Sequence, residues 1–196
     1  LPPRRRRWDL GRVGDALMRD WLLAGILFVF AASPAIAASP WAAFEAPVAR
    51  VSDGDTINFL GHREACRLAG IDAPETAKKG RHAGQPFGLE AQAFLEKLIA
   101  GRSVTVLVYG GDRYGRLLCW ILTPGALSAN LEMVRFGLAE VYVYDAASPP
   151  PFLSVLRQAE TEAQVARRGI WSLPERESPA AFRRRMRTDG PTMEVP

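Results

Sequence analysis

The sequence predicts a small closed β-barrel with helices packed on it, an α+β fold in which strands come first and helices interleave with later strands. Three observations carry this expectation. Residues 47–71 contain three short runs rich in apolar and β-branched residues, separated by turn signals. Two further runs of that kind, 103–109 and 117–122, flank a polar loop. Three longer segments space their apolar residues at helical intervals, one before the fourth strand and two after the fifth.

In order along the chain, PVARVSD (47–53) and DTINFL (55–60) read as two strands split by a tight Asp-Gly turn. GHREACRLAGI (61–71) is a third, entered through Gly61 and His62. FGLEAQAFLEKLIAG (87–101) has helical periodicity and stops at Gly101. SVTVLVY (103–109) alternates and is β-branched, as is LLCWIL (117–122), with the polar loop GGDRYGR between them. SANLEMVRFG (128–137) is a second helix capped by Ser128, VYVY (141–144) is a short extended piece, and residues 151–169 form a third helix ending at Gly169. No repeats or long low-complexity tracts interrupt the pattern.

The 196 residues suffice for one domain, placed at 39–173, plus appendages. Residues 1–38 begin with an arginine run, continue as an uncharged apolar stretch, and reach Ala35-Ile36-Ala37 just after Pro34. That is the layout of a secretory signal cleaved after Ala37; residues 21–38 are also just long enough to anchor the chain in a membrane. Either reading sends the domain out of the cytoplasm, as a periplasmic or secreted protein or as one held at the membrane. Residues 174–196 combine Pro, Gly and charge without a sustained apolar period, the composition of a flexible tail. Its cluster Arg183, Arg184, Arg185 and Arg187 is a candidate contact for nucleic acid or a membrane surface.

The net charge of +4 is misleading about partners. Residues 1–38 hold six arginines and three acids, whereas residues 39–173 hold 14 Lys/Arg and 14 Asp/Glu. Any phosphate affinity of the domain must therefore come from a local site.

Such a site is visible. Asp53, Asp55, Arg67, Asp72 and Glu75 crowd into one short stretch, and Arg116 lies in the loop 110–116. Gathered carboxylates repel one another unless a cation joins them. Asp55 and Asp72 offer only hard oxygen donors, which suits calcium or magnesium and disfavours zinc. Asp53 either caps the backbone of its own turn or stands in the outer shell of such a metal. Arg67 and Arg116 suit an anion with several oxygens, their ordinary alternatives being a salt bridge across the barrel mouth and a turn contact to Asp112. Glu75, aimed by Pro74, can accept a proton from water. These are the parts for phosphodiester cleavage, and the assigned roles turn Arg67, Glu75 and Arg116 toward solvent. His62 and His82 read as surface residues. Cys66 and Cys119 alternate onto the face away from the arginines, and they form either a disulfide or two buried thiols.

The chain resembles the staphylococcal-nuclease (thermonuclease) family from about Val48 to Trp171. The resemblance is carried by DGDT at 53–56, RLAGIDAPE at 67–75, YGR at 114–116, NLEMVRFGLAEVYVY at 130–144 and GIW at 169–171. It implies a five-stranded OB-fold barrel with three packed helices, and a monomeric, calcium-dependent endonuclease that hydrolyses DNA and RNA to 3′-phosphate products. By the same resemblance Asp55 and Asp72 are calcium ligands, and Ala73, where the family usually has Thr, ligates through its carbonyl. Arg67 and Arg116 hold phosphate, Glu75 positions or deprotonates water, and Tyr114, Tyr142 and Tyr144 form the substrate pocket. The loop TAKKGRHAGQP (76–86) departs from the family's and bears on substrate grip. A non-catalytic module of this fold that binds nucleic acid or protein is the rival reading.

Overall fold

The computed structural model describes residues 39–79, 82–144 and 149–188. The chain divides into two units, residues 1–36 and residues 37–196, and only the second contains described residues. The cleavage site after Ala37 and the apolar run 21–38 lie outside them. Among the described residues no helix is long and apolar enough to cross a membrane.

Five strands close the expected barrel: β1 (Ala42–Asp53), β2 (Thr56–Phe59), β3 (Cys66–Leu68), β5 (Ser103–Gly111) and β6 (Leu117–Leu122). They run around it in the order β1-β2-β3-β6-β5, with β5 returning to β1. All neighbours are antiparallel except β3 and β6, which are parallel. Strand β1 begins five residues earlier than its apolar run predicts, because it serves two partners. Its N-terminal half pairs with β5 and its C-terminal half with β2, and register irregularities between Val48 and Arg50 and between Val51 and Asp53 bend it from one to the other. Alternate residues such as Val104, Val106 and Val108 of β5 point into the barrel and are buried.

The third predicted strand is cut in two. Gly70 takes a left-handed φ of 81°, which ends β3 and starts a separate piece, β4 (Ile71–Asp72). Only the start of the VYVY segment becomes a strand: β7 (Glu140–Val141) pairs with β4 and sets Glu140 opposite Asp72.

Three helices stand where periodicity places them. In α1 (Gly88–Ile99) Ala91, Leu95 and Ile99 form the buried stripe, and in α3 (Leu153–Val165) it is Leu156, Ala159 and Ala163. Helix α2 (Ala129–Arg135) is capped by the Ser128 side chain, which accepts from the Leu131 amide at 3.2 Å. Asn130, fully buried, accepts from Ile121 N and donates to the carbonyls of Ala69 and Cys119, tying α2 to the barrel.

A fourth helix, α4 (Pro179–Thr188), follows a 3₁₀ turn at Gly169–Ser172 and occupies the stretch whose composition predicted a flexible tail. Its start has a local cause. The Ser178 hydroxyl accepts from the Ala181 amide, and Pro179 fills the first helical position, where a missing N–H costs nothing. Pro179 and Phe182, three residues apart, are its buried contacts.

Cys66 and Cys119 are joined by a disulfide that links the parallel strands β3 and β6, with Cα atoms 6.0 Å apart. Both residues are fully buried. Constraining the unfolded chain over a separation of 53 residues adds about 4 kcal/mol of stability in the chain-entropy account. Replacing both cysteines by alanine is expected to lower the denaturation midpoint accordingly. An unchanged midpoint in denaturant titrations of the two proteins would refute this.

Candidate active site

The site lies at the barrel mouth, where the β1–β2 turn, the end of β3 and β4 converge. Gly54 makes the convergence possible: a Cβ there would come within 2.7 Å of the Ala73 side chain and 2.8 Å of Ala91. Asp55, at that turn, then reaches across to the loop after β4, where its Oδ2 accepts from the Ala73 amide at 3.1 Å. Its Oδ1 accepts from the Thr56 hydroxyl at 3.0 Å.

Arg67 sits between the two acids. Its Nη1 pairs with Asp55, and its Nη2 donates to Asp72 Oδ1 at 2.7 Å and to the Ile71 carbonyl at 3.3 Å. Asp55 and Asp72 are 4% and 0% exposed, and Arg67 is 8% exposed. The expectation that Arg67 faces solvent is therefore corrected: it is an interior charge that neutralises two buried carboxylates, the bridge across the barrel mouth. Burial opposes the charged form of Asp55, but the Arg67 charge and the Ala73 amide outweigh it and hold its pKa low. Burial likewise opposes the Arg67 charge, and the two aspartates overcome it and raise its pKa.

Asp53 behaves differently. Its Oδ1 caps the Asp55 amide at 3.2 Å, the turn role foreseen for it. Burial, then the adjacent Asp55 charge, pushes its carboxyl up to about 7.

Glu75 is held by its backbone. Its amide donates to Gln85 Oε1 at 3.1 Å and its carbonyl accepts from Gln85 N at 2.9 Å. Gly88, at the start of α1, lies so close that a Cβ there would fall 2.4 Å from that carbonyl oxygen. The side chain projects into the cleft, where Lys78 approaches Oε2 at 3.4 Å.

Arg116 makes the turn contact considered for it. Its Nε and Nη2 donate to Asp112 Oδ2 at 2.8 and 2.7 Å, and its Nη1 donates to the Thr56 hydroxyl at 3.3 Å. The Asp112 side chain is 1% exposed and also accepts from the amides of Tyr114 and Arg116. This contact does not compete with an anion. It grips one edge of the guanidinium and aims the rest at the cleft, making Asp112 and Thr56 positioning residues that sequence reasoning did not assign.

The three tyrosines come to the same place. Tyr114 is 64% exposed, with the Arg113 and Arg116 guanidinium carbons 4.9 and 5.7 Å from its ring centroid. Tyr142 is half-buried, its amide bonded to the Gly70 carbonyl, and Tyr144 is exposed. With Asp55, Arg67, Glu75 and Arg116 they line a cleft of about 960 Å³. Asp72 and Ala73 lie beneath its floor. His62 is at the surface, stacked on Phe44, but His82 is half-buried against the edge of Phe182 and lines the cleft as well.

One further side chain arrives from far along the chain. Arg183 of α4 donates from Nη1 to Asp72 Oδ1 and Glu75 Oε1, both at 2.9 Å, and from Nη2 to Asp72 Oδ2 at 2.7 Å. A guanidinium cation thus rests on the carboxylates assigned to metal and to water. The donor set fits a hard divalent cation: two carboxylates at the barrel mouth, a neighbouring backbone carbonyl, and a site where a positive charge already settles. Among the described residues no three His, Cys, Asp or Glu side chains form a metal-holding group, so the remaining positions would fall to water and phosphate.

Comparison with known proteins gives the family. The family described as Staphylococcal nuclease homologue matches residues 65–173, more than half of the chain. A protein of Escherichia coli O157:H7 named uncharacterized endonuclease is 39% identical over 140 residues, covering 70% of this chain and 84% of its own. The micrococcal nuclease of Shigella flexneri is 36% identical over 173 residues, covering 83% and 94%. An endonuclease of Saprolegnia parasitica is 34% identical over 158 residues, covering 70% and 74%. The chain belongs to the staphylococcal nuclease family, and it is a nuclease.

Proposed function

We propose that this chain is a calcium-dependent endonuclease that hydrolyses DNA and RNA and leaves 3′-phosphate ends. The observation that carries the reading is the convergence of Glu75 and Arg116 on the cleft above the Asp55–Arg67–Asp72 group. A divalent cation held by Asp55, Asp72 and the Ala73 carbonyl would supply charge neutralisation of the scissile phosphate. Arg116, braced by Asp112, offers its remaining N–H groups to the phosphate oxygens and offsets charge as it builds in the transition state. Glu75 accepts the proton of the attacking water. Attack on phosphorus breaks the bond to the 5′ oxygen, which leaves as a hydroxyl by taking a proton from solvent, and the phosphate stays on the 3′ side. The exposed rings of Tyr114 and Tyr144 provide stacking surfaces for bases without sequence preference.

Few protein ligands imply modest metal affinity, with a Kd on the order of 10⁻⁴–10⁻³ M. Millimolar calcium is therefore expected to support plasmid and RNA digestion, chelator to abolish it, and magnesium to substitute poorly. Full digestion in excess chelator would refute the metal reading, and no digestion under any condition would favour the non-catalytic binding module. Export is part of the same proposal: such affinity suits calcium-rich surroundings, and the Cys66–Cys119 bond suits an oxidising compartment. Intact-mass measurement of the protein from an envelope fraction tests it, and a species retaining Trp21 to Ala37 would show an anchored form.

A further inference from the structure

We propose that α4 is a plug built into the chain: Arg183 occupies the carboxylates that the metal and the attacking water require, so calcium binding and helix docking exclude each other. The inference rests on the proposed assignment of Asp72 to calcium, and on the nuclease reading only for its consequence in turnover.

Arg183 makes a two-point contact with Asp72, and one of the same nitrogens bridges to Glu75. It thus joins two carboxylates that would do different work, one under a metal and one facing water. Both oxygens of Asp72 are engaged, Oδ1 by Arg67 and Arg183 and Oδ2 by Arg183. Beneath these two arginines the Asp72 side chain is 0% exposed. A divalent cation therefore cannot reach Asp72 while Arg183 stays, and a guanidinium held at those oxygens would repel it.

The helix is anchored independently of this contact. Phe182 is 5% exposed and meets the His82 ring edge-on at 5.2 Å between centroids. Just before the helix, Gln85 donates to the Glu177 carbonyl at 3.0 Å, and Arg176 pairs with Glu140. Gln85 is the residue that clamps the Glu75 backbone, so the helix and the water-facing glutamate share a support. Arg184 and Arg187 line the same cleft as Arg116. Docked, α4 forms one wall of that cleft. A polyanionic strand would attract Arg184 and Arg187 and draw Arg183 with them off Asp72 and Glu75 while calcium takes its place, so metal and substrate both favour the open helix.

If the open form is a minor state of 1–10%, removing the plug tightens apparent calcium affinity by about 10–100-fold. The experiment is calorimetric calcium titration of the full chain, wild type against Arg183→Gln and a chain ending at Glu177. Limited trypsin digestion of wild type, with calcium and with chelator, runs beside it. Expected are tighter binding in both variants and faster cleavage within 183–187 when calcium is added. Equal affinity in all three proteins, or no calcium binding in any, overturns the plug; so does digestion indifferent to calcium. If binding tightens but no protein cleaves nucleic acid, the plug stands and the nuclease reading falls. If nucleic acid is cleaved while affinities are equal, the reverse holds.

Discussion

Glu75→Gln is expected to lower turnover on single-stranded DNA by about 10²–10⁴, the usual contribution of a positioned general base. The substitution keeps size and hydrogen-bonding capacity but removes the group that takes the proton from water. Its fold should survive, because Glu75 is placed by backbone bonds to Gln85 and by the close approach of Gly88, not by its own carboxylate. Arg116→Ala should cost about 10²–10³ by removing a preorganised charged donor. Arg116→Lys should fail nearly as badly, since an ammonium cannot both hold Asp112 through two nitrogens and present a fork to phosphate. Affinity for the strand should fall much less than turnover, because Tyr114 and Tyr144 share the grip. Turnover with calcium, beside a thermal melt, is the measurement. Folded variants as active as wild type would remove Glu75 and Arg116 from the mechanism.

Arg67→Ala has a different expected effect. Read from sequence, Arg67 is a phosphate ligand whose loss should spare the fold; in the structure it is the partner of two buried acids. Removing one member of a buried ion pair strands the other, at a cost of about 3–5 kcal/mol. The cost should fall mostly on Asp55, since Asp72 retains Arg183. Calcium should restore part of the lost stability, because a divalent cation can take over the charge that Arg67 neutralised. Denaturant unfolding in chelator and in millimolar calcium distinguishes the outcomes. A variant as stable as wild type in chelator would show that Asp55 tolerates burial without this partner.

Much of the site was legible because it is local. Asp55, Arg67, Asp72 and Glu75 lie within one run of turn, strand and turn, so their types and spacing point to one shared site before any fold is known, and the structure brings them together. Strand alternation likewise put Cys66 and Cys119 on one face, and the parallel pairing of β3 with β6 brought them together. Helix α4 also announced itself locally, through Ser178 as cap and Pro179 after it, but the arginine-rich composition masked that signal. Arginines look like a solvated face until the acids that receive them are known.

The sequence by itself determined the barrel with its first three helices, the family and the roles open to each site residue. The barrel and its helices follow from periodicity and turn chemistry, which act over a few positions; the family and the roles it implies follow from motifs shared with known relatives. Tertiary structure alone decided which charges are interior and which are presented. It buried Arg67 between Asp55 and Asp72, braced Arg116 on Asp112, and brought Arg183 across 111 positions onto Asp72. Those outcomes depend on how far each carboxylate is removed from water, and burial is set by the closure of the whole barrel and the docking of its last helix.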